Sequence, residues 1–172
     1  MLNVKETTSY PRGTIKSLLI QAYADFHLAC PEYEDENLVS FSECDSVFYD
    51  HPDIGKSCSF VSEFDGELCG MCCWDPRGLP KAIIGHNCII PRFRGKGLGV
   101  AQLNAALDIL KQKKFETVAV STGLLDFFVP AQRMYQAAGF RECGRDDLDK
   151  AANKLHALIY YELDLRRWKS LE

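Results

Sequence analysis

Ile89-Ile90-Pro91-Arg92-Phe93-Arg94-Gly95-Lys96-Gly97-Leu98-Gly99 is the stretch on which the fold turns. An apolar run of β-formers stops at a proline, and a glycine-rich turn then opens onto a helical pattern. Glycine at the three alternate positions 95, 97 and 99 lets successive backbone N–H groups point inward, forming an anion-binding nest at a helix N-terminus. Arg92, Arg94 and Lys96 add positive charge around it. The spacing separates this turn from two other phosphate binders. A P-loop requires Gly-x-x-x-x-Gly-Lys-Ser/Thr, and no Ser or Thr follows Lys96. A dinucleotide fingerprint starting at Gly95-x-Gly97 needs glycine at position 100, where this chain has Val100. A pyrophosphate fits the turn; ATP and NAD do not.

Working outward, residues 81–90 read as a strand closed by Pro91. Residues 97–114 read as a helix with Val100, Leu103, Leu107 and Leu110 on one face and Lys111, Lys113 and Lys114 in its last turn. A strand follows over 116–121, so 81–121 is a parallel β-α-β unit expected to cross over right-handed. On the N-terminal side, Ile15, Leu18, Leu19, Ala22, Phe26 and Ala29 give an amphipathic helix over 14–30, and 34–48 gives a weaker one. Two apolar runs, 58–64 and 67–74, are joined by Asp65-Gly66, a hairpin signal. On the C-terminal side come a short helix over 131–138, with Pro130 at its start and Gly139 as its stop, and strands over 140–144 and 155–165. The expected order is α-α-β-β-β-α-β-α-β-β. The fold class is α+β, a mixed and mostly antiparallel sheet in a three-layer α/β/α arrangement. The last strand is long enough to pair across a homodimer or to lie inside the sheet.

The chain has 172 residues, one domain's worth over 1–172, and a length that supports a core without staples. No apolar stretch approaches the ~18 residues of a membrane span. The first ten residues lack a secretory pattern, so a cytoplasmic location is expected. Eight cysteines then read as small buried hydrophobes rather than disulfides. Cys69-x-x-Cys72 lacks the second pair that would signal zinc, and no metal is expected. The net charge of −4 is unevenly spread. Residues 17–55 hold nine acidic residues and no Lys or Arg, whereas 77–114 hold eight basic residues against Asp108 alone. That segregation points to a polyanion handled by the middle segment and a cationic partner near the first third. Nucleic acid fits poorly, since the basic segment carries no aromatic stacking series.

Arg94-Gly95-Lys96-Gly97-Leu98-Gly99 resembles the Arg/Gln-x-x-Gly-x-Gly/Ala signature of the GNAT N-acetyltransferases, and Ile89-Ile90-Pro91 fits that family's strand end. Ala131-x-x-x-Tyr135-x-x-x-Gly139-Phe140 resembles its second motif. The resemblance is sharp over 81–145 and topological elsewhere. It implies an acyl-CoA N-acyltransferase fold whose parallel strands splay apart around the pantetheine arm of acetyl-CoA. It also implies that the backbone of Arg94, Gly95, Lys96, Gly97, Leu98 and Gly99 holds the pyrophosphate. Backbone groups of Ile89 would pair with the pantetheine and polarise the thioester carbonyl, which an amine attacks directly.

Tyr135 matches the family tyrosine placed to protonate the departing sulfur, a role that suits a phenol; from sequence it also reads as a core aromatic beside Gly139. For the general base, His86 has a fitting unperturbed pKa and is the only side chain between Ala82 and Ile90 that ordinarily titrates near neutral pH. Glu63, Asp75 or a backbone-relayed water compete with it, and a buried, satisfied histidine is the structural reading. The chain departs from the family at Phe128, where an Asn usually contacts CoA; Ser121 and Asp126 are the polar residues nearby. The acidic first third favours a cationic amine acceptor, with acetyl as the default acyl group. A non-catalytic acyl-CoA-binding or sensing module is the alternative.

Overall fold

The computed structural model describes residues 1–151 and 153–169, which form a seven-stranded mixed sheet with α-helices. In chain order the elements are β1 (Leu2–Lys5), α1 (Thr14–Ala29), α2 (Glu34–Asp50), α3 (Pro52–Cys58), β2 (Ser59–Phe64), β3 (Glu67–Asp75), β4 (Lys81–Ile89), α4 (Leu98–Gln112), β5 (Thr117–Gly123), α5 (Val129–Ala137), β6 (Arg141–Arg145) and β7 (Leu158–Asp164). The strand order is β1-β2-β3-β4-β5-β7-β6. β4 and β5 run parallel, as the β-α-β reading requires, and β1–β2, β2–β3, β5–β7 and β6–β7 are antiparallel. With β5 on one edge and β6 on the other, β7 is internal. It therefore presents no open ladder to a second copy.

Two elements escape the sequence pattern. β1 has four residues of which only Leu2 is even half-buried, so no alternation betrays it. α3 has seven residues and starts on Pro52, too short to show a helical period. Cys58, which the apolar run assigned to a strand, is instead the last residue of α3.

The residues divide into two compact units. The first comprises Met1–Trp74 and His86–Leu103. Here Ile15, Leu18, Leu19 and Ala22 of α1 and Phe41 and Phe48 of α2 share a core with Val61 of β2 and with Cys69, Met71 and Cys73 of β3. The last three are alternate residues, so they share one face of β3, and Gly70 faces the other way. α1 is started by a residue of α2. Both carboxylate oxygens of Asp45 accept the Gly13 N–H, at 3.1 and 3.0 Å, and Oδ1 also accepts the Lys16 N–H at 3.2 Å. The buried carboxylate thus satisfies amides that the helix leaves open and meets the positive end of its dipole.

The second unit comprises Asp75–Gly85 and the described residues from Asn104 on. Its ladders run Lys81↔Thr117 to Ile84↔Val120 and Thr117↔Asp164 to Gly123↔Leu158. Ala82, Ile84, Val118, Val120, Ile159, Tyr161 and Leu163 are buried, whereas Ile83 and Tyr160, on the opposite face, are exposed. The cysteines are free thiols. Burial pushes the Cys72 thiol well up and Cys88 to about 12, so both stay protonated and behave as core residues.

Asp45→Ala should remove the cap of α1 and cost about 2 kcal/mol, lowering Tm by roughly 4–8 °C for a chain of this size. Thermal unfolding followed by circular dichroism checks this. An unchanged Tm would mean that the start of α1 is held by other contacts.

Candidate active site

β4 leads into the turn through a chain of satisfied backbone groups. The Ile90 N–H donates to the Cys69 carbonyl at 2.9 Å. Pro91–Phe93 then forms one 3-10 turn, anchored by the buried Phe93 ring. Gly95 and Gly97 both adopt φ of 75°, the left-handed conformation that glycine takes without strain. The Gly97 carbonyl accepts the Ala101 N–H at 3.1 Å, which starts α4. The amides of Leu98, Gly99 and Val100 are therefore first-turn groups with no acceptor inside the helix. No atom lies within 4 Å of where a side chain at Gly95 or Gly97 would begin, so the turn opens on free space. Buried Leu98 pins the helix start in the core of the first unit. An alternating turn feeding a fifteen-residue helix can receive a phosphate or pyrophosphate.

The charges expected around this turn are distributed differently. Arg94 is a tether. Its Nε donates to the Ile89 carbonyl at 2.9 Å, one terminal nitrogen donates to the Ala22 carbonyl at 2.5 Å, and the other lies 3.6 Å from Asp25. Its own N–H donates to the Pro91 carbonyl at 3.0 Å, so the amides that the turn can offer begin at Gly95. Arg92 pairs with Glu67 at 2.8 Å and lies over the Phe93 ring. Lys96 sits 5.6 and 5.4 Å from the Phe64 and Phe93 ring centroids, and among the described residues no carboxylate pairs with it. The acidic first third is also partly spent: Asp45 is a buried cap, Asp50 binds Arg12 and Asp25 faces Arg94. Glu32, Glu34, Asp35 and Glu36 are exposed where α2 begins.

His86 and Tyr135 fall in different units. The His86 N–H donates to the Cys73 sulfur at 3.3 Å, and its ring stands edge-on to Phe41 with centroids 6.0 Å apart. Burial lowers its pKa from 6.5, because the apolar surroundings disfavour the cation. The imidazole is thus neutral at pH 7 and able to accept a proton. Its two carboxylate competitors are occupied. Arg77 clamps Asp75 at 2.5 Å and holds its pKa at about 2, leaving it a poor base. Glu63 accepts the Tyr10 hydroxyl, whose pKa rises to about 12, and lies 3.8 Å from Lys5. Tyr135 is 3% exposed, edge-on to Phe140 at 5.5 Å and tilted over Tyr161 at 6.3 Å, so the packing role read from the sequence is real.

Phe128 closes the end of β5. Its ring lies 2.3 Å from where a side chain at Gly123 would begin, and Gln132 donates to the Gly123 carbonyl at 2.8 Å. Ser121 is exposed on β5, and Asp126 opens the short turn before α5. The sequence reading overlooked Gln102. It is buried on the apolar side of α4 and donates to Met71, Asn87 and Cys88, and its signal was a polar residue on a core stripe. Among the described residues no three His, Cys, Asp or Glu side chains converge as a metal site, and no helix is long and apolar enough to cross a membrane.

The family model for GNAT acetyltransferases matches residues 19–140. No curated protein matches the chain by sequence. Among solved structures, a Desulfovibrio desulfuricans protein described as a GNAT-family acetyltransferase aligns at a TM-score of 0.74 and 15% identity, covering 96% of this chain and 98% of its own. The ribosomal-protein-S18-alanine N-acetyltransferase of Escherichia coli aligns at 0.68 and 18%, covering 96% and 94%. A GNAT-family acetyltransferase of Elizabethkingia anophelis with acetyl-CoA bound aligns at 0.65 and 15%, covering 95% and 97%. At these identities the likeness is one of fold.

The titration of His86 is open to direct measurement. Its folded pKa lies below the unfolded 6.5, so the stability it contributes is present above pH 6.5 and is lost as pH falls through the folded pKa. Proton NMR of the His86 ring should show a midpoint below 6.5. A midpoint at or above 6.5 would contradict the neutral, half-buried imidazole.

Proposed function

The chain belongs to the GNAT acetyltransferase family, and from that premise we propose that it moves the acetyl group of acetyl-CoA to a primary amine by direct attack. The observation that carries this reading is the turn of residues 94–99, with Gly95 and Gly97 at positive φ and α4 starting behind them. The amides of this turn from Gly95 onward hold the pyrophosphate of acetyl-CoA, and the helix adds its positive end. The reading takes residues 1–172 as one catalytic domain, since the family match runs through both units.

In this mechanism the Ile89 N–H polarises the thioester carbonyl, stabilising the negative charge that grows on its oxygen. The acceptor reaches the site as an ammonium with a pKa near ~10 and must lose a proton first. His86, neutral and half-buried, takes that proton, directly or through water. The amine lone pair then bonds to the carbonyl carbon, the carbon–sulfur bond breaks, Tyr135 gives its hydroxyl proton to the departing thiolate, and the second proton of the now cationic nitrogen passes through solvent to restore the phenol. The products are an amide and CoA thiol.

Acceptor choice follows from charge. Glu32, Glu34, Asp35 and Glu36 are exposed within a segment that has no Lys or Arg from residue 17 to 55, and they favour a polycationic amine.

Thiol release from acetyl-CoA, measured across a panel of amines, should be fastest with di- and polyamines. Tyr135→Phe should lower kcat by about 100-fold with little change in acetyl-CoA affinity. Wild-type protein that binds acetyl-CoA and releases no thiol with any amine would be a binding module and not a catalyst. Neutralising Glu34, Asp35 and Glu36 together as Gln, Asn and Gln should raise the acceptor KM roughly 3- to 30-fold, on the order of 1–2 kcal/mol of lost attraction. The KM for acetyl-CoA should not move, and unchanged acceptor kinetics would remove the charge argument.

A further inference from the structure

Gln102 occupies a position that the helical period reserves for an apolar side chain. It is 0% exposed, as are Leu103, Ala106, Leu107 and Leu110 of the same helix. Its Nε2 donates to the Met71 carbonyl at 2.9 Å, to Asn87 Oδ1 at 2.7 Å and to the Cys88 carbonyl at 3.2 Å. Its own Oε1 is buried, and among the described residues it has no hydrogen-bond donor. The amide therefore leaves its acceptor unmatched while crowding three oxygens around one nitrogen. An apolar side chain would avoid that unfavourable burial. The benefit of the arrangement lies in what it holds.

What it holds is one peptide plane. The peptide group joining Cys88 to Ile89 is planar and trans, so its C=O and N–H point in opposite directions. Fixing the Cys88 carbonyl on Gln102 thereby fixes the direction of the Ile89 N–H, away from Gln102. The next plane is held independently, with the Ile89 carbonyl on Arg94 Nε at 2.9 Å and the Ile90 N–H on the Cys69 carbonyl at 2.9 Å. Since the Ile90 N–H points to β3, strand alternation sends the Ile89 N–H to the opposite edge of β4. A second observation agrees. A Cβ at Gly70 would lie 2.3 Å from the Cys88 oxygen, 2.7 Å from Ile89 Cδ1 and 2.8 Å from Gln102 Oε1. β3 thus carries a residue without a side chain at the point where Gln102 reaches residues 88 and 89.

We propose that Gln102 is a positioning residue: by gripping the Cys88 carbonyl it aims the Ile89 N–H at the thioester carbonyl of the acyl donor. This rests on the acetyl-transfer reading above, in which Ile89 polarises that carbonyl. Gln102 touches neither the donor nor the acceptor and acts through the backbone of β4.

The test compares Gln102→Leu with Gln102→Met, both of which keep roughly the volume of the side chain and delete its donor. Both should keep the acetyl-CoA Kd within about threefold and lower kcat roughly 10- to 100-fold, the scale of an aiming error. The readout that a packing role would not move is the carbonyl stretch of bound acetyl-CoA, followed by isotope-edited infrared spectroscopy with a 13C-labelled acetyl group. In wild type it should be shifted below its value in free solution, and in both variants it should return toward that value while Tm changes little. An unshifted stretch in wild type, or a stretch unchanged in either folded variant, overturns the proposal whatever happens to kcat. If one variant does not fold, the other decides. A wild-type protein that shows the shifted stretch but acetylates no amine would sink acetyl transfer, and the role of Gln102 would still be decided by the variants' stretch.

Discussion

Between Ile89 and Leu98 a buried strand must become a buried helix start without stranding polar backbone groups, and much of the first unit is arranged around that passage. A buried N–H or C=O left unpaired is costly, so each peptide along the path needs a partner. The strand end is served by Gln102, Arg94 and Cys69, and the Pro91–Phe93 turn bonds to itself through Phe93 to Ile90 and Arg94 to Pro91. From Gly95 onward the pattern inverts. Gly95 and Gly97 take positive φ beside open space, and the first turn of α4 adds amides with no acceptor inside the helix. One short segment therefore changes from peptide groups gripped by Gln102, Arg94 and Cys69 to a run of amides, Gly95 to Val100, that find no acceptor among the described residues. That change is what suits the turn to the pyrophosphate role proposed for it.

The same accounting explains how Arg94 relates to its motif. A basic residue beside a phosphate turn invites a direct ion pair, yet the guanidinium bridges the Ile89 and Ala22 carbonyls and faces Asp25. Its planar fork of donors suits this, because one side chain can tie β4 to α1 while its charge is balanced by a carboxylate. Charge counted along a sequence cannot distinguish a tether from a ligand. Asp45 makes the point from the other sign: within the acidic segment it looks like part of a cationic docking surface, but it is the buried cap of α1.

The parts of the fold that were legible in the sequence are those with a strong period or a backbone requirement. The parallel β-α-β unit, the hairpin at Asp65-Gly66 and the glycine turn all follow from alternation, helical spacing or positive φ, which are local properties. β1 and α3 were not legible because four residues with one half-buried side chain, or seven residues opening on a proline, carry too little pattern. For the candidate site, the glycine turn and the helix behind it were legible as backbone chemistry. The choice among candidate bases was not, since it turns on Arg77 pairing with Asp75 and on Tyr10 and Lys5 meeting Glu63, contacts between side chains that no local pattern shows. Gln102 lay in plain view as a polar residue on the core stripe of α4. Its meaning required knowing which peptide plane it touches.

The carboxylates at the start of α2 answer to two forces of different range. Glu34, Asp35 and Glu36 stand in the first turn of the helix, where each complements the dipole by about 0.3–1 kcal/mol. That term is confined to the first turn and needs no ligand. Attraction for a cation outside the protein is limited instead by a Debye length of about 8 Å at physiological salt. Neighbouring carboxylates on one turn act together over that distance, so a polycation that approaches α2 gains from several at once, whereas a single ammonium gains little over water. The dipole accounts for acidic residues at this helix start. It does not account for the absence of any Lys or Arg from residue 17 to 55, because basic residues late in α1 or α2 would complement those dipoles equally well. Keeping positive charge out of α1 after Lys16 and out of all of α2 is what the proposed attraction for a cationic acceptor would require.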